Sequence, residues 1–190
     1  AGTEVKEDML TFTAMAWGGD AIDGVSLIDL RQKLKDITAQ QALLLDQVLE
    51  AGMYAPTARG MQSPMIVVVR DKPTIALMSR LNAQVMGSTG DPFFGAPTVL
   101  VVLDDKTNPN GVQDASLVMG NLMNAAHALG LGSCWINRAR ETFQLPEGKA
   151  LLEKWGVPQR YEGLGNCILG YAAQEAPAPK PRKADYVLRV

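Results

Sequence analysis

The chain has 190 residues, 47% of them hydrophobic and 20% charged, with a formal net charge of -2. That composition suits one folded domain with its own core and excludes a disordered polar chain. The charge balance offers no broad basic face for nucleic acid or an anionic membrane, and the longest apolar runs, Met65 to Val69 and Val99 to Leu103, are too short to span a bilayer.

Acidic residues precede the mildly apolar stretch Met9 to Trp17, and no small-residue cleavage pattern is clear, so no signal peptide is expected. Two cysteines, Cys134 and Cys167, and a single histidine, His127, cannot make a disulfide scaffold or a usual zinc set. No metal is expected, and a reduced, cytoplasmic protein is. Cys134 reads as a core thiol and His127 as a helix residue at an interface. The first thirty residues set Glu4, Glu7, Asp8, Asp20, Asp23 and Asp29 against Lys6 alone, six acids against one base, a balance of -5. Residues 1–30 are therefore read as an atypical acidic segment and 31–190 as the working domain.

Thr38 and Gln41 have capping-box spacing and predict a helix start; Leu44, Leu45, Val48 and Leu49 supply its apolar stripe, and Pro56 closes it. A loop, Thr57 to Ser63, leads into a valine-rich strand at 65–69, read as buried on both faces. Helical spacing returns over 73–86. A Gly/Asp/Pro-rich loop, 87–97, precedes a second buried strand at 99–103. The helix at about 112–129 is apolar nearly all round and must then be buried all round, which suggests a subunit interface. Gly130 stops it. A strand at 133–136, a helix at 146–155 and a strand at 161–171 follow. Pro177, Pro179 and Pro181 keep the tail extended, and its apolar finish, Tyr186 to Val190, wants a sheet edge or a partner subunit. The fold class is α+β, with no internal repeat.

Gly130-Leu-Gly132 and Gly163-Leu-Gly165 are poor dinucleotide fingerprints, because neither has a third glycine opening a helix. Three features carry more. Loop 56–64 places Thr57, Arg59 and Gln62 where polar groups can face a ligand. Segment 133–138 presents backbone amides after a strand. Lys180, Arg182 and Lys183 either meet a terminal phosphate or form a solvated basic tail.

From about Ile37 to Val190 the chain resembles the nitroreductase family of FMN enzymes. The segments that carry the resemblance are Leu49-Glu-Ala-Gly-Met-Tyr-Ala-Pro-Thr57, Met61-Gln-Ser-Pro64, Gly95 to Val102, Gln113 to Ile136, Gly163 to Tyr171, and Lys180-Pro-Arg182, in that order and spacing. The resemblance implies a three-layer α+β sandwich with a central mixed sheet, in an interlocked homodimer that binds FMN at its interface. It further implies an oxidoreductase that takes hydride from NAD(P)H and passes it to a nitroaromatic, quinone or similar small acceptor. No side chain need act as acid or base. The residues it assigns to the cofactor are Thr57, Gly60 and Gln62 near the ring, Trp135, Ile136 and Asn137 with the backbone amides of 136–138 on the hydride-accepting side, and Lys180 with Arg182 at the phosphate.

The chain departs from the family pattern in two places. The usual Arg-Ser-X-Arg opening is replaced by Asp29-Leu-Arg-Gln-Lys-Leu-Lys-Asp36, in which Arg31, Lys33 and Lys35 are the available substitutes. Gly60 stands where the family carries an asparagine two residues before the glutamine. The competing reading is a dimeric relative that binds flavin weakly or not at all and serves as a binding or structural module.

Overall fold

The computed structural model describes residues 27–172 and 178–190, with side chains from residue 39 onward. The chain divides into two compact units, 1–43 and 44–190. Residues 1–26, most of the acidic segment, lie outside the described residues.

Helix α1 runs Leu27–Met53, so the capping-box pair at Thr38 and Gln41 falls inside a helix instead of opening one. Leu, Arg, Gln and Lys dominate 27–35 and are good helix formers, which lets the helix extend toward the N-terminus past that local signal. A 3-10 turn, Ala58–Gly60, leads to β1, Met65–Val69. Helix α2, Lys72–Met86, starts on Asp71, whose carboxylate accepts the Thr74 N–H at 3.0 Å. Then follow β2, Thr98–Asp105; α3, Gly111–Ala128; β3, Gly132–Ile136; α4, Ala139–Gln144; α5, Pro146–Lys154; and β4, Tyr161–Gly170.

The four strands form one sheet in the order β1-β2-β4-β3, and every pairing is antiparallel. This corrects the expected mixed sheet, and the cause is topological. The β2-α3-β3 crossover does make two strands that run the same way, as a mixed sheet would need. But β4 inserts between them, pairing Val101 with Asn166 on one side and Asn166 with Ile136 on the other. At the other edge β1 and β2 are antiparallel because loop 87–97 turns the chain back after α2, bringing Val99 opposite Val69.

Alternation along β2 sends Val99, Val101 and Leu103 to one face and Leu100 and Val102 to the other. The first face packs against Met78 of α2, Phe143 of α4 and Leu151 of α5; the second packs against Val48 of α1 and Ala115, Met119 and Leu122 of α3. Helices on both faces of a sheet make the three-layer α+β sandwich. Strand β2 is buried as expected. Strand β1 is a sheet edge with Val68 41% exposed, because it has a neighbour on one side only. Cys134, read as a core thiol, is exposed on β3, the other edge, whereas Cys167 on central β4 is buried. Burial pushes the Cys167 thiol up to about 12, so it stays protonated and unreactive at neutral pH.

Loop 87–97 depends on Asp91. Its carboxylate accepts the Ser79 hydroxyl from α2, the Phe93 N–H at 2.9 Å and the Gly95 N–H at 2.7 Å. Desolvation alone would raise the Asp91 pKa, but these three donors together outweigh it and hold the group below the ordinary carboxylate range. A depressed carboxylate stabilises the fold above its unfolded pKa and loses that contribution as pH falls through the folded value. Asp91→Asn is therefore expected to lower the urea midpoint at pH 7, with the gap to wild type narrowing as pH drops below about 4. A gap unchanged down to pH 2.5 would mean that charge at this position contributes nothing.

Candidate functional site

Two stretches of exposed backbone with unusual geometry coincide with the predicted ligand-facing segments. In loop 57–63, Arg59 (φ 56°), Gly60 (φ 65°) and Gln62 (φ 50°) are all in the left-handed region. Only the glycine adopts it without steric cost; the other two must be held there.

Asp114 does the holding. It lies in the first turn of α3, 3% exposed, where the helix N-terminus favours a carboxylate. One oxygen accepts the Ala58 N–H at 2.8 Å; the other accepts the Ser63 hydroxyl at 3.2 Å and the Asn108 amide at 2.9 Å. Asn108 also donates to Ser63 Oγ at 2.7 Å, and its own Oδ1 accepts the Asn110 N–H at 3.0 Å. The network is closed: every polar side-chain atom of Ser63, Asn108 and Asp114 is engaged, as burial demands. Thr57 Oγ1 accepts the Gln62 N–H at 3.0 Å and cinches the loop across its own width. Of the predicted residues, Thr57 is thereby structural within the loop, while Gly60 and Gln62 are exposed at its tip. Among the described residues no heavy atom lies within 4 Å of where a Cβ on Gly60 would stand. Asp114, Ser63 and Asn108 escaped the sequence reading. Ser63 and Asp114 lie within segments that carry the resemblance, but the role of all three shows only once burial and hydrogen bonding are known.

The second stretch ends β3. The side chain of Ile136 is in the core with Val101 and Ile168, so only its backbone is available to a ligand. Trp135 packs on the opposite face with Leu164 and Leu169. Its indole crosses β4 at Gly165, where a Cβ would come within 2.4 Å of Nε1, so glycine is required there. Asn137 and Arg138 are exposed, and Arg138 is left-handed (φ 71°) just before α4.

The predicted phosphate residues Lys180 and Arg182 are exposed on the extended tail, and the polar contacts described for the tail lie within it. Arg182 donates to the Lys180 carbonyl at 3.4 Å, and Lys183 approaches Asp185 at 3.9 Å. Arg31 and Lys33 are on α1 in the first unit, where only the backbone is described. A cavity of about 770 Å³ between α2 and loop 87–97, lined by Ile75, Arg80, Asp91 and Phe93 among others, includes none of the predicted site residues. Among the described residues no cluster of three metal-ligating side chains occurs, and no helix is long and apolar enough to cross a membrane.

A family model described as "Nitroreductase family" matches residues 34–172, most of the chain. The chain belongs to the nitroreductase family. A solved nitroreductase from Bacteroides fragilis, with FMN bound, is 28% identical and superposes with a TM-score of 0.71 over 78% of this chain and 87% of that one. An FMN-dependent nitroreductase from Clostridium difficile is 31% identical, with a TM-score of 0.61 over 72% and 79% of the two chains. An Archaeoglobus fulgidus protein provisionally named an NADH dehydrogenase/NAD(P)H nitroreductase is 29% identical over 136 residues, 69% of this chain and 74% of the relative. The matched family region thus contains both loop 57–63 and the end of β3.

Removing the carboxylate that anchors this nitroreductase loop should be costly. Asp114→Ala leaves the Ala58 N–H, the Ser63 hydroxyl and the Asn108 amide short of an acceptor, a loss of about 3 kcal/mol and a fall in Tm of roughly 5–12 °C. Trypsin should then cut after the exposed Arg59 in the variant well before it cuts wild type. Equal cleavage rates and Tm values would mean the loop holds its shape without Asp114.

Proposed function

We propose that this nitroreductase-family chain is an FMN-dependent oxidoreductase working as a homodimer, taking reducing equivalents from NAD(P)H and delivering them to a nitroaromatic, quinone or similar acceptor. The observation that carries the reading is the shared fold with a 28% identical nitroreductase whose structure holds FMN. The local geometry supports it. A planar ring needs neighbours that do not collapse onto it, and here the two candidate segments are exposed and held from behind.

When bound, FMN supplies a ring that accepts and returns a hydride, so the chain is asked for placement and charge instead of acid–base chemistry. The side chains present agree: His127 is exposed on α3, and Cys167 is a protonated core thiol. Loop 57–63 offers the Gln62 amide and, at Gly60, backbone that can approach a ring closely. The end of β3 offers the amides of Asn137 and Arg138. Lys180 and Arg182 offer two cations to a phosphate through charge-assisted hydrogen bonds.

Helix α3 supports the dimer. Within the chain one face of it is buried, through Ala115, Val118, Met119, Leu122 and Ala126, but Val112 is 43% and Leu117 48% exposed. The expectation of burial on all sides therefore fails for the chain alone. Met53 and Tyr54 at the end of α1, at 66% and 80%, add apolar surface that a second subunit would cover.

The protein should bind FMN with near 1:1 stoichiometry and turn yellow, and NADH or NADPH should bleach the flavin absorbance under anaerobic conditions. Lys180→Ala with Arg182→Ala should weaken FMN binding by about tenfold or more. Failure of wild type to bind FMN at micromolar concentration would overturn the enzyme reading in favour of a non-catalytic relative.

The dimer has its own test at Gly120. Among the described residues no heavy atom lies within 4 Å of a Cβ built there, and leucine favours helix over glycine. Gly120→Leu should nonetheless dissociate or aggregate the protein in analytical ultracentrifugation, because a bulky side chain on this face would hold a packed partner helix away. A variant that sediments as a wild-type dimer would show that α3 does not form the interface through this face.

A further inference from the structure

We propose that Asn82 is the positioning residue that aims the Arg138 N–H out of the fold at the end of β3, toward the flavin ring; the ligand in this statement rests on the function proposed above. Asn82 sits on α2 and is completely buried. Its Nδ2 donates to the Asn137 carbonyl at 2.8 Å and lies 3.5 Å from Thr142 Oγ1. The peptide joining Asn137 to Arg138 is trans, so its C=O and N–H point in opposite directions. A donor buried beneath the turn that captures the carbonyl must send the N–H the other way. The Arg138 N–H has no partner among the described residues, and both Asn137 and Arg138 are exposed.

Two further observations show that this orientation is maintained at a cost. Arg138 is held at φ 71°, a region that a residue with a Cβ enters only under constraint. And Asn82 leaves its Oδ1 buried without a partner, an expense that a purely packing role would avoid with leucine. Asn166, in register with Ile136 one residue before the turn, likewise buries an amide with no partner on either atom. Asn82, Thr142 and Asn166 are all buried polar residues close to this turn in sequence register or hydrogen bonding.

The test uses Asn82→Leu, which keeps the branched shape and removes the donor, and Asn82→Ser, which is smaller and tolerates water at the site. In flavin-free protein, either variant should let the 137–138 peptide rotate, seen directly in a crystal structure and as a shift of the Arg138 amide resonance. FMN affinity should fall by about tenfold and the flavin midpoint potential should move, with the Tm of the flavin-free protein close to wild type for Asn82→Leu. Should the leucine variant fail to fold, Asn82→Ser carries the same readouts. An unrotated peptide with wild-type FMN affinity in a folded variant overturns the proposal. Rotation of the peptide with unchanged FMN affinity also overturns it, because the N–H would then not face the ligand. If wild type binds no FMN, the flavin reading fails, whereas an unrotated flavin-free peptide would refute the role of Asn82 independently.

Discussion

A buried carboxylate beneath a strained loop is the constraint on which the proposed site depends. Asp114 enters the core at the start of α3 and satisfies the Ala58 N–H, the Ser63 hydroxyl and the Asn108 amide together. Without it, the Ala58 and Ser63 ends of the loop lose their buried anchor, and the Thr57–Gln62 hydrogen bond is left to hold the left-handed backbone of Arg59 and Gln62. A polar side chain is tolerated at this depth because both of its oxygens are hydrogen-bonded, to donors that are themselves buried or pinned. The sandwich fixes where that carboxylate lies: α3 packs Ala115, Met119 and Leu122 on the sheet, and its first turn is then set directly against the 57–63 loop.

The same logic recurs at the end of β3, with an amide in place of a carboxylate. Asp114 works from the α3 side and Asn82 from the α2 side, so each helical layer contributes one buried polar residue that fixes a loop. This division explains why a chain with no acid–base constellation can still present ordered chemistry. Flavin enzymes ask the protein for position and electrostatics, and position is bought here with buried hydrogen bonds.

Much of this was legible in the sequence where one physical signal dominated. The strand at 65–69, the helix ends near 86 and 128, and the strand at 132–136 follow from apolar periodicity and glycine stops. The start of α1 was not legible, because a capping-box pair at Thr38 and Gln41 is a local signal that good helix formers upstream override. The exposure of Val68 and Cys134 was missed for another reason: whether a valine-rich strand is central or at an edge depends on strand order, which local periodicity does not encode. The short helix α4 was hidden by its length, six residues between a turn and a proline. For the site, the resemblance pointed to loop 57–63 and the end of β3 through Gln62 and Asn137. The residues that shape them, Asp114, Asn108 and Asn82, act over long separations in sequence, more than fifty positions for Ala58 with Asp114 and for Asn82 with Asn137, and such pairings exist only in the folded chain.

The fold organises the ligand-facing loop before any cofactor arrives. Amide hydrogen exchange of the flavin-free protein, read at Ala58, tests it most directly, because that N–H is the one donated to Asp114. Strong protection is expected without FMN and should change little when FMN is added. Exchange at the rate of an open loop, with protection appearing only in the presence of FMN, would contradict it and make the cofactor the organiser of its own site.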